Sequence, residues 1–171
     1  LDLRENLGGF LMLAVKVAGL FITNGVVVAA KYSDEEVKYF RDIDGYSYFD
    51  GPIVVLVSKA SASAAEIVAQ AMQDYGVAVV VGDDHTYGKG SIQHQTITDE
   101  DSETFFKVTV GRYYTVSGRS TQINGVKSDI VVPTHLYHKN IGEAFLDYPI
   151  PSDVIFAAYD DDLADLSWSS K

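Results

Sequence analysis

The sequence predicts an α/β fold, and three observations between Gly51 and Gln93 carry that reading. Ile53 to Val57 is a continuous apolar run behind Gly51-Pro52, the pattern of a strand covered on both faces, and such strands belong to parallel sheets. Ala64 to Tyr75 places apolar residues at 64, 67, 68, 71, 72 and 75, the stripe of an amphipathic helix, with Gly76 as its stop. Val77 to Val81 is a second buried-type strand. Strand, helix and strand within ~30 residues make a βαβ crossover with parallel pairing.

The other elements follow in chain order. Leu1 to Arg4 reads as the end of a strand, and Asn6-Leu7-Gly8-Gly9 as a turn. Phe10 to Ile22 is apolar nearly all round but well short of the ~20 residues that span a bilayer, so a buried helix is expected. Asn24-Gly25 ends it, and Val26 to Ala30 is a short apolar strand. Lys31 to Asp50 is polar and Tyr-rich, a surface excursion or hairpin. Thr104 to Val110 alternates, which would turn Phe106, Val108 and Val110 inward and Phe105, Lys107 and Thr109 outward. Tyr113 to Val116 extends that strand past Gly111, and Ile130 to Val132 is a last short strand ended by Pro133. From Leu146 the chain turns acidic, with Asp160-Asp161-Asp162 as a solvated face.

Composition narrows the function. At 171 residues the chain is one domain by length, with 47% hydrophobic and 22% charged residues, ordinary for a packed core. A net charge of -11 argues against nucleic acid and against an anionic membrane surface, because phosphate binding needs a basic face. The absence of cysteine removes thiol catalysis, disulfides and thiolate metal sites. The chain opens on a motif at Leu1 with no Met and no basic leader, so it reads as part of a longer protein.

Candidate chemistry centres on Ser63. One reading makes it only the N-cap of the helix, with Ser63-x-x-Glu66 as a capping box. The other makes it a nucleophile, exposed at a strand-to-helix corner where the amide of Ala64 could stabilise an oxyanion. Ser61 is the rival serine. A serine needs a base, and Lys89 in Tyr87-Gly88-Lys89-Gly90 follows the neighbouring strand. It can serve only if burial lowers its pKa. Alone, Gly-Lys-Gly also reads as an exposed turn, and His85 and His94 are rival bases. His135 and His138 have i, i+3 spacing but no third metal ligand. Gly8-Gly9 without a lysine is a weak phosphate cradle, so no metal or cofactor is expected.

Four ordered runs stand out: Leu1-Asp-Leu-Arg-Glu-Asn-Leu-Gly-Gly9, Ser61-Ala-Ser-Ala-Ala-Glu66, Ala71-Met-Gln-Asp-Tyr-Gly76 and Thr86-Tyr-Gly-Lys-Gly-Ser-Ile-Gln93. Together they resemble the carboxyl-terminal processing proteases, and among them the tail-specific, Prc-like branch. Later, Arg112 to Gln122 and Gly125 to Ile130 are similar to that family's remaining core motifs, and the likeness extends to about Ile155. The resemblance implies a serine endopeptidase with a Ser-Lys dyad, acting through an acyl-enzyme on proteins with apolar carboxyl termini. Ser63 falls on its nucleophile, Lys89 on its base, and Gln93 on the residue that holds the lysine amine. Gly9 and Ala64 fall on its oxyanion donors. Asp74 falls on an acid that matters in some members, but it lies eleven residues after Ser63, three helical turns away, so a structural role is expected first.

The implied fold is a crotonase-like, ClpP-like spiral of ββα units. Residues 1–149 would be a partial catalytic core and 150–171 an acidic extension. The family's PDZ domain and the amino-terminal part of its core precede the first motif and are outside this sequence. The implied location is the bacterial periplasm or envelope, or a plastid lumen. This sequence departs from the family pattern at Ala65, at Ser128, and by one extra residue in Asp83-Asp84-His85-Thr86, which could move Lys89. With the flanking residues outside the chain, the Gly8-Gly9 turn is expected to be mobile or displaced. Ser63 and Lys89 are then expected beyond the hydrogen-bond reach of ~2.6–3.2 Å, and the chain alone inactive on proteins. Two other functions share the fold: a non-catalytic binder of hydrophobic ligands, and an acyl-CoA enzyme with the oxyanion hole but no nucleophile.

Overall fold

The computed structural model describes residues 1–33, 36–97 and 105–159. The element order is α1 (Leu11–Gly19), β1 (Gly25–Tyr32), β2 (Val37–Asp42), β3 (Ile53–Val57), α2 (Ala64–Asp74), β4 (Ala78–Gly82), β5 (Ser91–Ile97), β6 (Phe105–Tyr114) and β7 (Ile130–Val131). The expected crossover is present. β3 and β4 pair in parallel from Ile53–Ala78 to Val57–Gly82, joined by α2. Tyr75 caps α2, and Gly76 leaves it with φ +68°, a left-handed turn that glycine adopts without strain. β7 extends the parallel sheet beside β4. The opening residues supply one parallel bridge, Asp2 to Leu56, rather than a strand.

A second, antiparallel sheet has the order β2-β1-β6-β5. Here the polar excursion proves to be a hairpin, with β2 pairing β1. α2 touches β4 of one sheet and β1 of the other, and α1 packs beside it against β1 and β2. α2 therefore sits between the sheets, and the core forms where Val27, Val28, Val55, Val57, Ile67, Val68, Met72 and Val80 meet. Each such side chain contributes about 1.5–3 kcal/mol by leaving water.

Four expectations need correction. β3 is covered on one face, not two: Val55 and Val57 are buried, while Val54 is 47% exposed and its neighbour Val79 on β4 is exposed with it. The buried side packs against α2, and a continuous apolar run gives no sign of which face stays open. α1 is not buried all round. It turns Ala14, Val15, Ala18 and Gly19 inward and leaves Met12 and Leu13 exposed, with Phe10 at its start 79% exposed.

The alternation along β6 also fails, since Phe106 and Val108 are both exposed. Among the described residues, Phe105 to Val110 of β6 pair with β5, and the pairing of β6 with β1 begins at Gly111. A two-stranded ribbon with no layer against it has no inside. β5 is the fourth correction, a strand that the sequence reading passed over. Its Ser, Gln, His and Thr residues carry little apolar pattern, and its pairing to β6 comes from residues distant in sequence. Thr104 and Asp160-Asp161-Asp162 lie outside the described residues.

Candidate active site

Ser63 sits between β3 and α2, at the N-cap of the helix. Its backbone has φ +57° and ψ -117°, a conformation that a residue with a Cβ adopts only under strain, at a cost of about 1–3 kcal/mol. The surrounding structure holds it there. Ala62 N donates to Asn6 O at 2.9 Å, and Gly8 N donates to Asn6 Oδ1 at 2.9 Å. Gly8 has φ +100°, and a Cβ on it would lie 2.8 Å from Ser63 Cβ and 2.9 Å from Ala64 N. Gly8 is thus packed against the serine corner, while Gly9 is exposed and a Cβ on it would meet nothing within 4 Å. Ser63→Gly should raise the unfolding free energy by about 1 kcal/mol by releasing the strain, since glycine caps a helix nearly as well. Denaturant titration against Ser63→Ala, which keeps the strain, measures it.

The rival serine has another task. Ser61 is buried, its Oγ donating to Leu3 O at 2.7 Å and accepting from Ser58 N at 2.9 Å. It fastens the opening residues to the end of β3.

Glu66 joins the serine corner to the lysine loop. Its side chain is fully buried, yet it accepts four hydrogen bonds. Oε2 takes Ser63 N at 2.8 Å and Lys89 N at 2.9 Å; Oε1 takes Gly88 N at 2.7 Å and Thr86 Oγ1 at 2.5 Å. The sequence reading saw only the capping half of this. Burial pushes the Glu66 carboxyl up to about 7, against the pull of its four donors. Tyr113 makes a second brace: its Oη donates to Lys89 O and accepts from Thr121 Oγ1 at 3.1 Å. Burial holds this phenol well above the usual tyrosine range. Tyr113 lies in the family-like run Arg112 to Gln122, but its partner was not legible there, because Tyr113 N donates to Gly90 O, across the chain.

Lys89 is partly buried, and its Nζ donates to Gln93 Oε1 at 3.2 Å. Burial lowers its pKa from the ordinary value, the positive charge of Lys107 lowers it further, and Glu143 and Glu66 oppose. No hydrogen bond joins Lys89 Nζ to Ser63 Oγ among the described residues. The two do share a cavity of about 290 Å³, which Gly9, Ala64, Gln93, Ile67 and Ile92 also line. Ahead of Thr86, Asp83 accepts from Lys59 N at 2.9 Å and Thr134 N at 2.7 Å, while Ser128 Oγ donates to Asp83 O at 2.5 Å.

The remaining candidates lie elsewhere. Asp74 is not brought to the serine. At 1.5 Å per residue it stands ~16 Å down the helix. Its side chain, 3% exposed, accepts from Gln70 Nε2 at 2.8 Å and from Arg119 Nη2 at 3.2 Å. His85 Nδ1 lies 2.7 Å from Thr86 O, and neither His85 nor His94 lines the cavity. His135 faces Glu5 at 3.6 Å and His138 meets the Tyr137 ring edge-on. Among the described residues no three potential ligands gather as a metal site.

Fold and corner together define an α/β protein with a strained serine and a partly desolvated lysine facing one cavity. Comparison with known proteins gives its family. The family model described as Peptidase family S41 matches residues 1–132, and the chain belongs to that family. It is 38% identical over 163 residues to the tail-specific protease of Haemophilus influenzae, covering 92% of this chain and 23% of that protein. It is 39% identical over 143 residues to the carboxy-terminal-processing protease of Bartonella bacilliformis, covering 83% of this chain and 32% of that protein. The solved photosystem II D1 C-terminal processing protease superposes with a TM-score of 0.69 at 32% identity, over 79% of this chain and 34% of that one. The chain thus spans about a quarter to a third of the length of these relatives.

Proposed function

We propose that this chain carries the reacting groups of a serine endopeptidase that cleaves proteins at or near their carboxyl termini. One observation supports this most: Ser63, Lys89, Gln93, Gly9 and Ala64 line a single cavity at the start of α2. In this reading neutral Lys89 takes the proton from Ser63 Oγ, which attacks the substrate carbonyl. The amides of Ala64 and Gly9 take the charge that develops on the carbonyl oxygen. Lys89 then passes the proton to the departing amine, leaving an ester on Ser63 that water hydrolyses. Gln93 steers the lysine amine, while Glu66 and Tyr113 hold the two loops in register. Substrate binding would bring Nζ and Oγ into contact, since catalytic hydrogen bonds are often long in empty sites.

The same proposal extends to the whole protein. Its substrates are proteins with apolar carboxyl termini, its fold completes the ββα spiral of the crotonase-like type, and its compartment is the periplasm or envelope. A binder of hydrophobic ligands would have no use for a strained serine beside a desolvated lysine.

The pH profile of the full-length protein tests the base. Activity requires the neutral amine, so kcat/KM should rise with pH through the lowered range of Lys89, below the ordinary lysine value of 10.5. A histidine base would place that rise near ~6.5. A rise that disappears in His85→Gln or His94→Gln would refute the lysine assignment.

A further inference from the structure

We propose that Lys107 is a positioning residue for this site, a second ammonium at the wall of the cavity that Lys89 shares with Ser63. The inference rests on Lys89 acting as the base. Its ground is the strand register. Gln93, which receives the Lys89 amine, pairs across the β5–β6 ladder with Thr109. Lys107 is two residues before Thr109 and shares its face, so it stands diagonal to Gln93, a separation of about 7–8 Å in such ladders. Both lysines accordingly line the cavity that holds Ser63.

The sign follows from the charges around Lys89. Lys107 is the cation facing it from β6. Two acids act in the opposite sense, Glu66 on α2 and Glu143 on the short turn Glu143–Phe145. Neither is poised to pair with the amine. Glu66 is occupied by four donors from the backbone and Thr86, and Glu143 accepts from Gln122 Nε2 at 3.0 Å. A neighbouring like charge favours the neutral form of an amine, which is the form that accepts a proton. Lys107 is exposed, so it has no task in the core.

The experiment uses the full-length protein and an unfolded protein substrate with an apolar carboxyl terminus. Profiles of kcat/KM against pH are compared for the wild type, Lys107→Met, Lys107→Glu and Lys107→Arg. At neutral pH, Lys107→Met should lose about threefold and Lys107→Glu about tenfold, as expected for removing and then reversing one like charge across a wet cavity. Both losses should vanish on the high-pH plateau, where Lys89 is neutral in every variant. Lys107→Arg should retain the wild-type profile. Added salt should shift the wild-type rise to higher pH and leave Lys107→Met nearly unmoved, because only the former has a like charge to screen. An unchanged rise in Lys107→Met and Lys107→Glu overturns the inference, as does a loss that persists equally at all pH values. The salt titration of the wild type decides the matter should a variant fold poorly. If Ser63→Ala and Lys89→Ala retain activity, the dyad itself is wrong; if they are inactive and the rise ignores Lys107, only this inference fails.

Discussion

Ser63→Ala and Lys89→Ala, each made in the full-length protein, should lower kcat/KM for a protein substrate on the order of 10⁴-fold or more, because groups that act as a unit fail together. The double variant should be no worse than either single one. Lys89→Arg should be equally inactive, since a guanidinium keeps its proton at any working pH. The lysine changes should leave the unfolding midpoint in place, and Ser63→Ala should cost no more than the about 0.5–2 kcal/mol of a lost helix cap. Ser63 and Lys89 face a cavity, and the contacts that hold their loops run through backbone atoms to Glu66 and Tyr113. Activity remaining in Lys89→Arg would move the base elsewhere, and a large loss of stability in Ser63→Ala would make the serine a structural cap.

Glu66→Gln should be the most damaging isosteric change outside the reacting pair. A carboxylate offers acceptors on both oxygens, and here both are used twice. An amide keeps one accepting oxygen and turns an NH₂ group towards the other two donors. Leaving two buried donors unpaired costs about 2–6 kcal/mol at about 1–3 kcal/mol each. The donors concerned belong to Ser63 and Lys89 on one side or to Gly88 and Thr86 on the other, so the change should also loosen the register between nucleophile and base. Denaturant unfolding and kcat/KM measured on the same samples should fall together. A Glu66→Gln protein with wild-type stability would show that these four bonds contribute little.

Some of this was legible in the sequence and some was not, for identifiable reasons. The βαβ crossover was legible because Ile53–Val57, Ala64–Asp74 and Ala78–Gly82 each satisfy a local pattern, and a parallel pair requires a crossover. The serine corner was legible as a cap, with Glu66 three residues on. That Glu66 also binds Thr86, Gly88 and Lys89 was not, because those residues come from another loop. The bond from Tyr113 to Lys89 O was hidden for the same reason. β5 was missed because polar residues in a ribbon leave no periodic trace, and Phe106 and Val108 misled because alternation implies an inside only where a second layer exists. Asp74 came from family likeness, and helix geometry alone separates it from Ser63. Its buried carboxylate instead pins Arg119 and the end of α2.

The most direct test is to trap the acyl-enzyme position. The full-length protein is incubated with a fluorophosphonate ester, digested, and its peptides weighed by mass spectrometry. The Ser-Lys reading predicts one adduct, on the peptide that contains Ser63, formed faster as pH rises and absent from both Ser63→Ala and Lys89→Arg. An adduct on Ser61, or labelling of Ser63 at the same rate in Lys89→Arg, would contradict it.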